Sequence, residues 1–90
     1  MTGRQALIGS RLGLHLQPAA LFARTAASTG LPVTLALPGR PPVDGRNVLL
    51  VVGLGARCGQ AVEIEVVGTG PEADAALRAL VDLLETDHDA

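Results

Sequence analysis

The stretch "QAVEIEVV" places the strongest constraint on the fold. Val62, Ile64 and Val66 alternate with Glu63 and Glu65, a period of two that fits an extended strand with one face buried and the other in water. A sheet with one wet face is antiparallel and covered by helices on a single side, because parallel sheets are buried on both faces. The next stretch, "ADAALRALVDLLE", supplies such a helix: Ala76, Leu77, Leu80 and Leu84 fall on one face at helical spacing. Thr69 and Glu72 ahead of it read as a capping box. The acidic end "ETDHDA" is expected to fray into solvent.

Earlier segments complete the plan. Gln5–Ile8 reads as a first strand, and "GSRLGLH" as a turn rich in glycine and serine. A helix is expected from Pro18 to Thr29, closed by Gly30, since proline is tolerated in the first turn where its missing N–H has no partner anyway. "LPVTLAL" alternates Val33, Leu35 and Leu37 against Thr34 and Ala36, another half-buried strand. A short edge strand fits Pro42 to Asp44. The solid apolar run "NVLLVVGLG" has no period, but Asn47 is a good N-cap and favours a short helix.

Composition bounds the function. Ninety residues with 48% hydrophobic and 18% charged side chains fit one domain, residues 1–90. A net charge of −2 argues against nucleic-acid binding by phosphate neutralisation. Phe22 as the only aromatic residue removes base stacking as well. All seven basic residues are arginine, which reads as coding bias rather than a site. The single Cys58 forms no intramolecular disulfide. "MTGRQALIGSR" lacks the apolar core of a signal peptide, and "VLLVVGLGA" is far short of the ~20 residues a membrane span needs. A cytoplasmic location without membrane insertion is the expectation.

Three places invite chemistry. "VVGLGARCG" suggests a dinucleotide-binding turn, but its glycines are spaced one residue too far and a strand follows instead of a helix. Glycines shaping a turn are the stronger account. Cys58 has no histidine near it in sequence, so a spectator thiol is the default. His88 lacks partners for a metal site. His15 differs, because it precedes a helix whose free N–H groups and dipole favour an anion. An imidazole there can offer a nitrogen lone pair near neutral pH. By residue type alone a solvated loop histidine is the stronger account, since a lone histidine ahead of a proline is a weak motif.

"GLHLQPAALFARTA" resembles the active-site segment of the HPr family, the histidine-containing phosphocarriers of the bacterial phosphoenolpyruvate-dependent sugar phosphotransferase system. That family usually reads Gly-Leu-His-Ala-Arg-Pro-Ala at this point. The resemblance continues through "LPVTLAL", "GRPPVDGRNVLLVVGLGARCG" and "VEIEVVG" into the last helix, with wording typical of actinobacterial members. It implies an α+β open-faced sandwich, a four-stranded antiparallel sheet with three helices on one face. It also implies a carrier rather than a free-standing enzyme. His15 would take a phosphoryl group on Nδ1 from phospho-enzyme I and pass it to an enzyme IIA domain, as a monomer and without cofactor or metal. Partners would dock on Leu16, Gln17, Ala20 and Arg24 of the first helix and Val48, Leu49 and Val52 of the short one. Some of these side chains would alternatively be core.

Two positions depart from the family pattern. Gln17 stands where the family has an arginine, giving a neutral amide in place of a charged fork. Charged hydrogen bonds exceed neutral ones by enough to slow transfer by about one to two orders of magnitude. Arg24 or Arg57 is a candidate substitute. Asn47 stands where many relatives carry a regulatory serine, so no hydroxyl is available to a kinase. Gln17 also keeps a second reading open, an HPr-like regulatory binding module with weak or no phosphotransfer.

Overall fold

The computed structural model describes Met1–Ala90, and the alternating stretch lies at its centre. Strand β4, Ala61–Val66, buries Val62, Ile64 and Val66 completely and exposes Glu63 and Glu65. Burying three such side chains contributes about 1.5–3 kcal/mol each. On one flank β4 pairs antiparallel with β1, Thr2–Leu7, in a register running from Thr2 opposite Val66 to Leu7 opposite Ala61. On the other it pairs with β2, Val33–Ala36, which in turn pairs with β3, Val43–Asp44. The sheet order is β1-β4-β2-β3, antiparallel throughout.

Three helices cover the apolar face. Helix α1 spans Leu16–Ser28, α2 spans Val48–Gly53 and α3 spans Pro71–Glu85. One cluster of 18 buried residues fills the space between the layers, with Phe22, Leu35, Ile64, Leu80 and Leu84 its largest members. The expected face of α3 is buried as read: Ala76, Leu77, Leu80 and Leu84 all turn inward.

Local chemistry moves several boundaries. Helix α1 begins at Leu16, so Pro18 occupies its third position, still within the turn whose N–H groups have no intrahelical acceptor. Strand β1 starts earlier than the apolar pattern indicated, because Thr2–Gln5 pair through backbone alone at a sheet edge. Ala36, expected on the outer face, is buried as well; its methyl lies beside the longer chain of Glu63, its cross-strand neighbour.

Asn47 caps α2 as expected, its Oδ1 accepting from the Leu50 amide at 3.2 Å. The capping box at Thr69 and Glu72 does not form. Gly70 is the N-cap of α3, with no side-chain bond, and Pro71 takes the first helical position that its fixed φ favours.

The largest difference is at the C-terminal end. Thr86–Asp89 fold back over the loop between β1 and α1 instead of fraying. The Ser10 hydroxyl donates to the Thr86 carbonyl at 3.4 Å and accepts from the His88 amide at 3.2 Å. Hydrogen bonds to backbone amides replace the apolar contacts that this tail lacks.

Candidate functional site

The loop from Ile8 to His15 is held on two sides. Toward the glycine turn, the Ile8 amide donates to Gln60 at 3.0 Å, Gly59 to Ile8 at 2.7 Å and Leu14 to Ala56 at 2.9 Å. Toward α3, the Gly9 amide donates to the Leu84 carbonyl at 2.9 Å. A side chain at Gly9 would collide with the backbone of Glu85. Gly13 has φ +78°, and a Cβ there would lie 2.7 Å from the Ala56 carbonyl oxygen. Only glycine satisfies both the left-handed backbone and that approach.

His15 stands at the end of this loop as the N-cap of α1, in extended conformation, with its carbonyl accepting the first helical bond from Ala19 at 3.0 Å. Its ring does not cap the helix. Nε2 lies 2.9 Å from Oδ1 of Asp89, with the two side chains 34% and 12% exposed. Nδ1 makes no hydrogen bond and is the nitrogen left open. The amides of Leu16 and Gln17, just beyond, have no intrahelical acceptor either, so this end of α1 favours an anion.

Asp89 is itself well seated. Its Oδ2 accepts from the Leu12 amide at 3.1 Å and its own amide donates to Asp87 Oδ1 at 3.0 Å. The Leu12 amide, helped by the His15 ring, holds the Asp89 carboxyl below its usual value against the cost of burial. Asp87 is lowered likewise, first by the Asp89 amide, then by Arg11, whose Nε reaches Asp87 Oδ2 at 2.8 Å. His88 points away, its Nε2 donating to the Leu83 carbonyl at 2.7 Å.

Around this centre the expected partner-binding residues divide. Leu16, Gln17, Arg24 and Leu49 are exposed, with Leu16 at 62% and Leu49 at 79%. Ala20 is half-buried, as are Val48 and Val52, which pack against the core because Val51 between them is fully buried. Leu12 and Leu50 add exposed apolar surface that the sequence reading did not single out. A run of consecutive apolar residues carries no period, so which side of α2 faces water was not readable. Neither Arg24 nor Arg57 is in an ion pair, and the Arg57 backbone packs behind Gly13. Cys58 is exposed, its Sγ 3.9 Å from the Gly9 carbonyl. Nowhere do three or more histidine, cysteine or acidic side chains gather as metal ligands would.

The family model described as the PTS HPr component phosphorylation site matches residues 3–86. The chain belongs to the HPr family. It is 40% identical over 84 residues to the phosphocarrier protein HPr of Streptomyces coelicolor, covering 93% of this chain and 88% of that one. Among solved structures it is similar to HPr-C-His from Thermoanaerobacter tengcongensis, with TM-score 0.81, 29% identity and coverage of 94% and 92%. It is also similar to the HPr dimer from the same organism, with TM-score 0.66 and 29% identity over 94% of each chain. Membership in the HPr family carries a phosphocarrier role in the phosphotransferase system, and the four-stranded sheet with three helices is the family's fold. No helix is long and apolar enough to cross a membrane.

Proposed function

We propose that His15 is the phosphoryl acceptor, charged by phospho-enzyme I and discharged to an enzyme IIA component during sugar uptake. The observation that supports this most is the half-exposed ring at the N-cap of α1, with Nε2 engaged by Asp89, Nδ1 without a hydrogen bond and the first amides of the helix without intrahelical acceptors. The Nδ1 lone pair attacks phosphorus as the N–P bond to the donor histidine breaks. The donor, whose phosphorylated ring carries a proton on its other nitrogen, leaves as neutral imidazole, and His15 becomes a phosphoimidazolium that keeps its Nε2 proton. Nothing else is consumed, so no cofactor or metal is needed, and the chain is a carrier substrate rather than a free-standing enzyme.

Docking is assigned to the exposed side chains Leu16, Gln17 and Arg24 on α1 and Leu49 on α2, together with half-buried Ala20, Val48 and Val52. Exposed apolar side chains grouped on so small a domain suit transient protein contacts. The protein works in this reading as a cytoplasmic monomer, and size-exclusion chromatography with light scattering tests the oligomeric part. Asn47 offers no hydroxyl, so the serine-kinase branch of regulation is absent.

The test is incubation with phosphoenolpyruvate and a cognate enzyme I. An acid-labile mass gain of one phosphoryl group, lost in His15→Ala, is the expected result. No gain under conditions that charge an ordinary HPr refutes it and favours the regulatory module, for which Gln17 is the motivating residue. Gln17→Arg should raise the transfer rate by about one to two orders of magnitude, the difference between a neutral and a charged hydrogen bond to phosphate.

A further inference from the structure

We propose that Asp89 is a positioning residue for His15, fixing the imidazole in the tautomer that carries its proton on Nε2 and its lone pair on Nδ1. The proposal rests on the acceptor role of His15. Two observations carry it. The carboxylate oxygen lies 2.9 Å from Nε2 in a pocket where Asp89 is only 12% exposed. The carboxylate is also held from its other side, its second oxygen by the Leu12 amide at 3.1 Å, while the backbone around it is tied by the Asp89 amide to Asp87 and by the His88 amide to Ser10.

An ionised carboxylate only accepts, so Nε2 must donate and Nδ1 must be bare. The same contact stabilises the ring after transfer. When Nδ1 bonds phosphorus, the imidazole gains a positive charge, and Asp89 sits against the proton on the far nitrogen, away from the anionic phosphoryl group. Arrangements of this kind, with a buried carboxylate orienting a histidine, act through tautomer and orientation without the carboxylate taking the proton.

The tail therefore has a task that its composition does not announce. Ser10, Arg11 and Leu12 grip Thr86–Asp89, and through them the ring is aimed. Other charged groups nearby are Arg11 and Asp87, paired with each other, and Arg57 on the loop behind Gly13. All three are kept in the variants below, so a change there reports the lost carboxylate.

The experiment compares the full chain with Asp89→Asn and Asp89→Ala by nitrogen-15 NMR of the His15 ring and by the rate of phosphotransfer from enzyme I. The wild type should show the Nε2–H tautomer. Asp89→Asn, whose amide can donate to Nε2, should shift the ring toward Nδ1–H and slow transfer by about 10–100-fold, the scale of a misplaced reacting group. Asp89→Ala should lose the tautomer preference and slow transfer less. In both, the concentration of enzyme I needed for half-maximal rate should stay unchanged. A wild-type ring in the Nδ1–H form, or an Asp89→Asn variant with wild-type tautomer and rate, overturns the proposal. Failure of the wild type to accept phosphate refutes the carrier reading instead, and the ring spectrum still decides whether Asp89 sets the tautomer.

Discussion

Gly13→Ala tests how tightly the loop carrying His15 is built. The substitution adds one methyl at a residue with φ +78°, where that methyl would lie 2.7 Å from the Ala56 carbonyl oxygen. Placing a non-glycine residue in the left-handed region costs about 1–2 kcal/mol. Ala56 cannot simply move, because its carbonyl already accepts the Leu14 amide at 2.9 Å, so overpacking adds about 1–3 kcal/mol. Together these make about 2–5 kcal/mol, out of roughly 5–13 kcal/mol for a domain of this length.

Gly39 is the control, with φ +77° and nothing within 4 Å of a Cβ placed there. Gly39→Ala should lose only the conformational part. Thermal unfolding by circular dichroism reads both, at about 4–8 °C per kcal/mol for a chain of this size. Gly13→Ala should therefore unfold well below Gly39→Ala and transfer phosphate more slowly even where it is folded. Equal losses in the two variants would mean that the close approach to Ala56 is not felt, and the account of the loop as a fixed support for His15 would fail.

Three further outcomes follow from the contacts above. Asn47→Ala should cost about 0.5–2 kcal/mol in urea unfolding by removing the α2 cap, whereas Asn47→Ser, which keeps an accepting oxygen, should stay within about 0.5 kcal/mol of wild type. Phe22→Ala removes a fully buried ring and should cost about 3–5 kcal/mol, enough to leave much of the protein unfolded at 37 °C. Asp87 and Asp89 both titrate below their usual value of 3.8, so the stability they contribute is complete above the unfolded-state pKa and is lost as pH falls through the lower folded one. Protection factors at the Arg11 and Leu12 amides, taken against the intrinsic exchange rate at each pH, should accordingly hold above about pH 4 and fall in more acid solution; protection unchanged down to about pH 2 would show that these carboxylates do not hold the loop.

What could be read from residues alone depended on where the signal was stored. The alternation of β4 and the apolar face of α3 come from burial, which imprints a period on the sequence, and both stand as expected. Asn47 was legible because a cap is a local bond between a side chain and an amide three residues on. The supports of His15 were not legible in this way. Ser10, Leu12 and Asp89 meet across more than 70 positions of chain through single hydrogen bonds, which leave no period and no composition bias. An acidic segment with no apolar residue reads as solvated, and its docking becomes visible only once β1 and α3 lie side by side. Thr69 misled for the opposite reason: it had the right residue type and spacing for a cap, but Pro71 set the start of the helix.

The position of β4 also governs how the chain can fold in time. It is the last strand made and one of the two interior strands of the sheet, so β1 waits for a partner more than 50 residues away, Leu7 for Ala61 and Thr2 for Val66. The one strand pair that precedes β4, between β2 and β3, has only two matched positions, too few to persist alone in water. Contacts so distant in sequence make folding slow for a protein of this size, on the millisecond-to-second scale rather than that of a helical bundle. A ribosome-bound chain that has not yet extruded Val66 lacks the complete sheet and the backing of the 8–15 loop by α3 and the residues after it. For most of its synthesis, then, the chain carries His15 without the contacts that hold its ring in the folded protein.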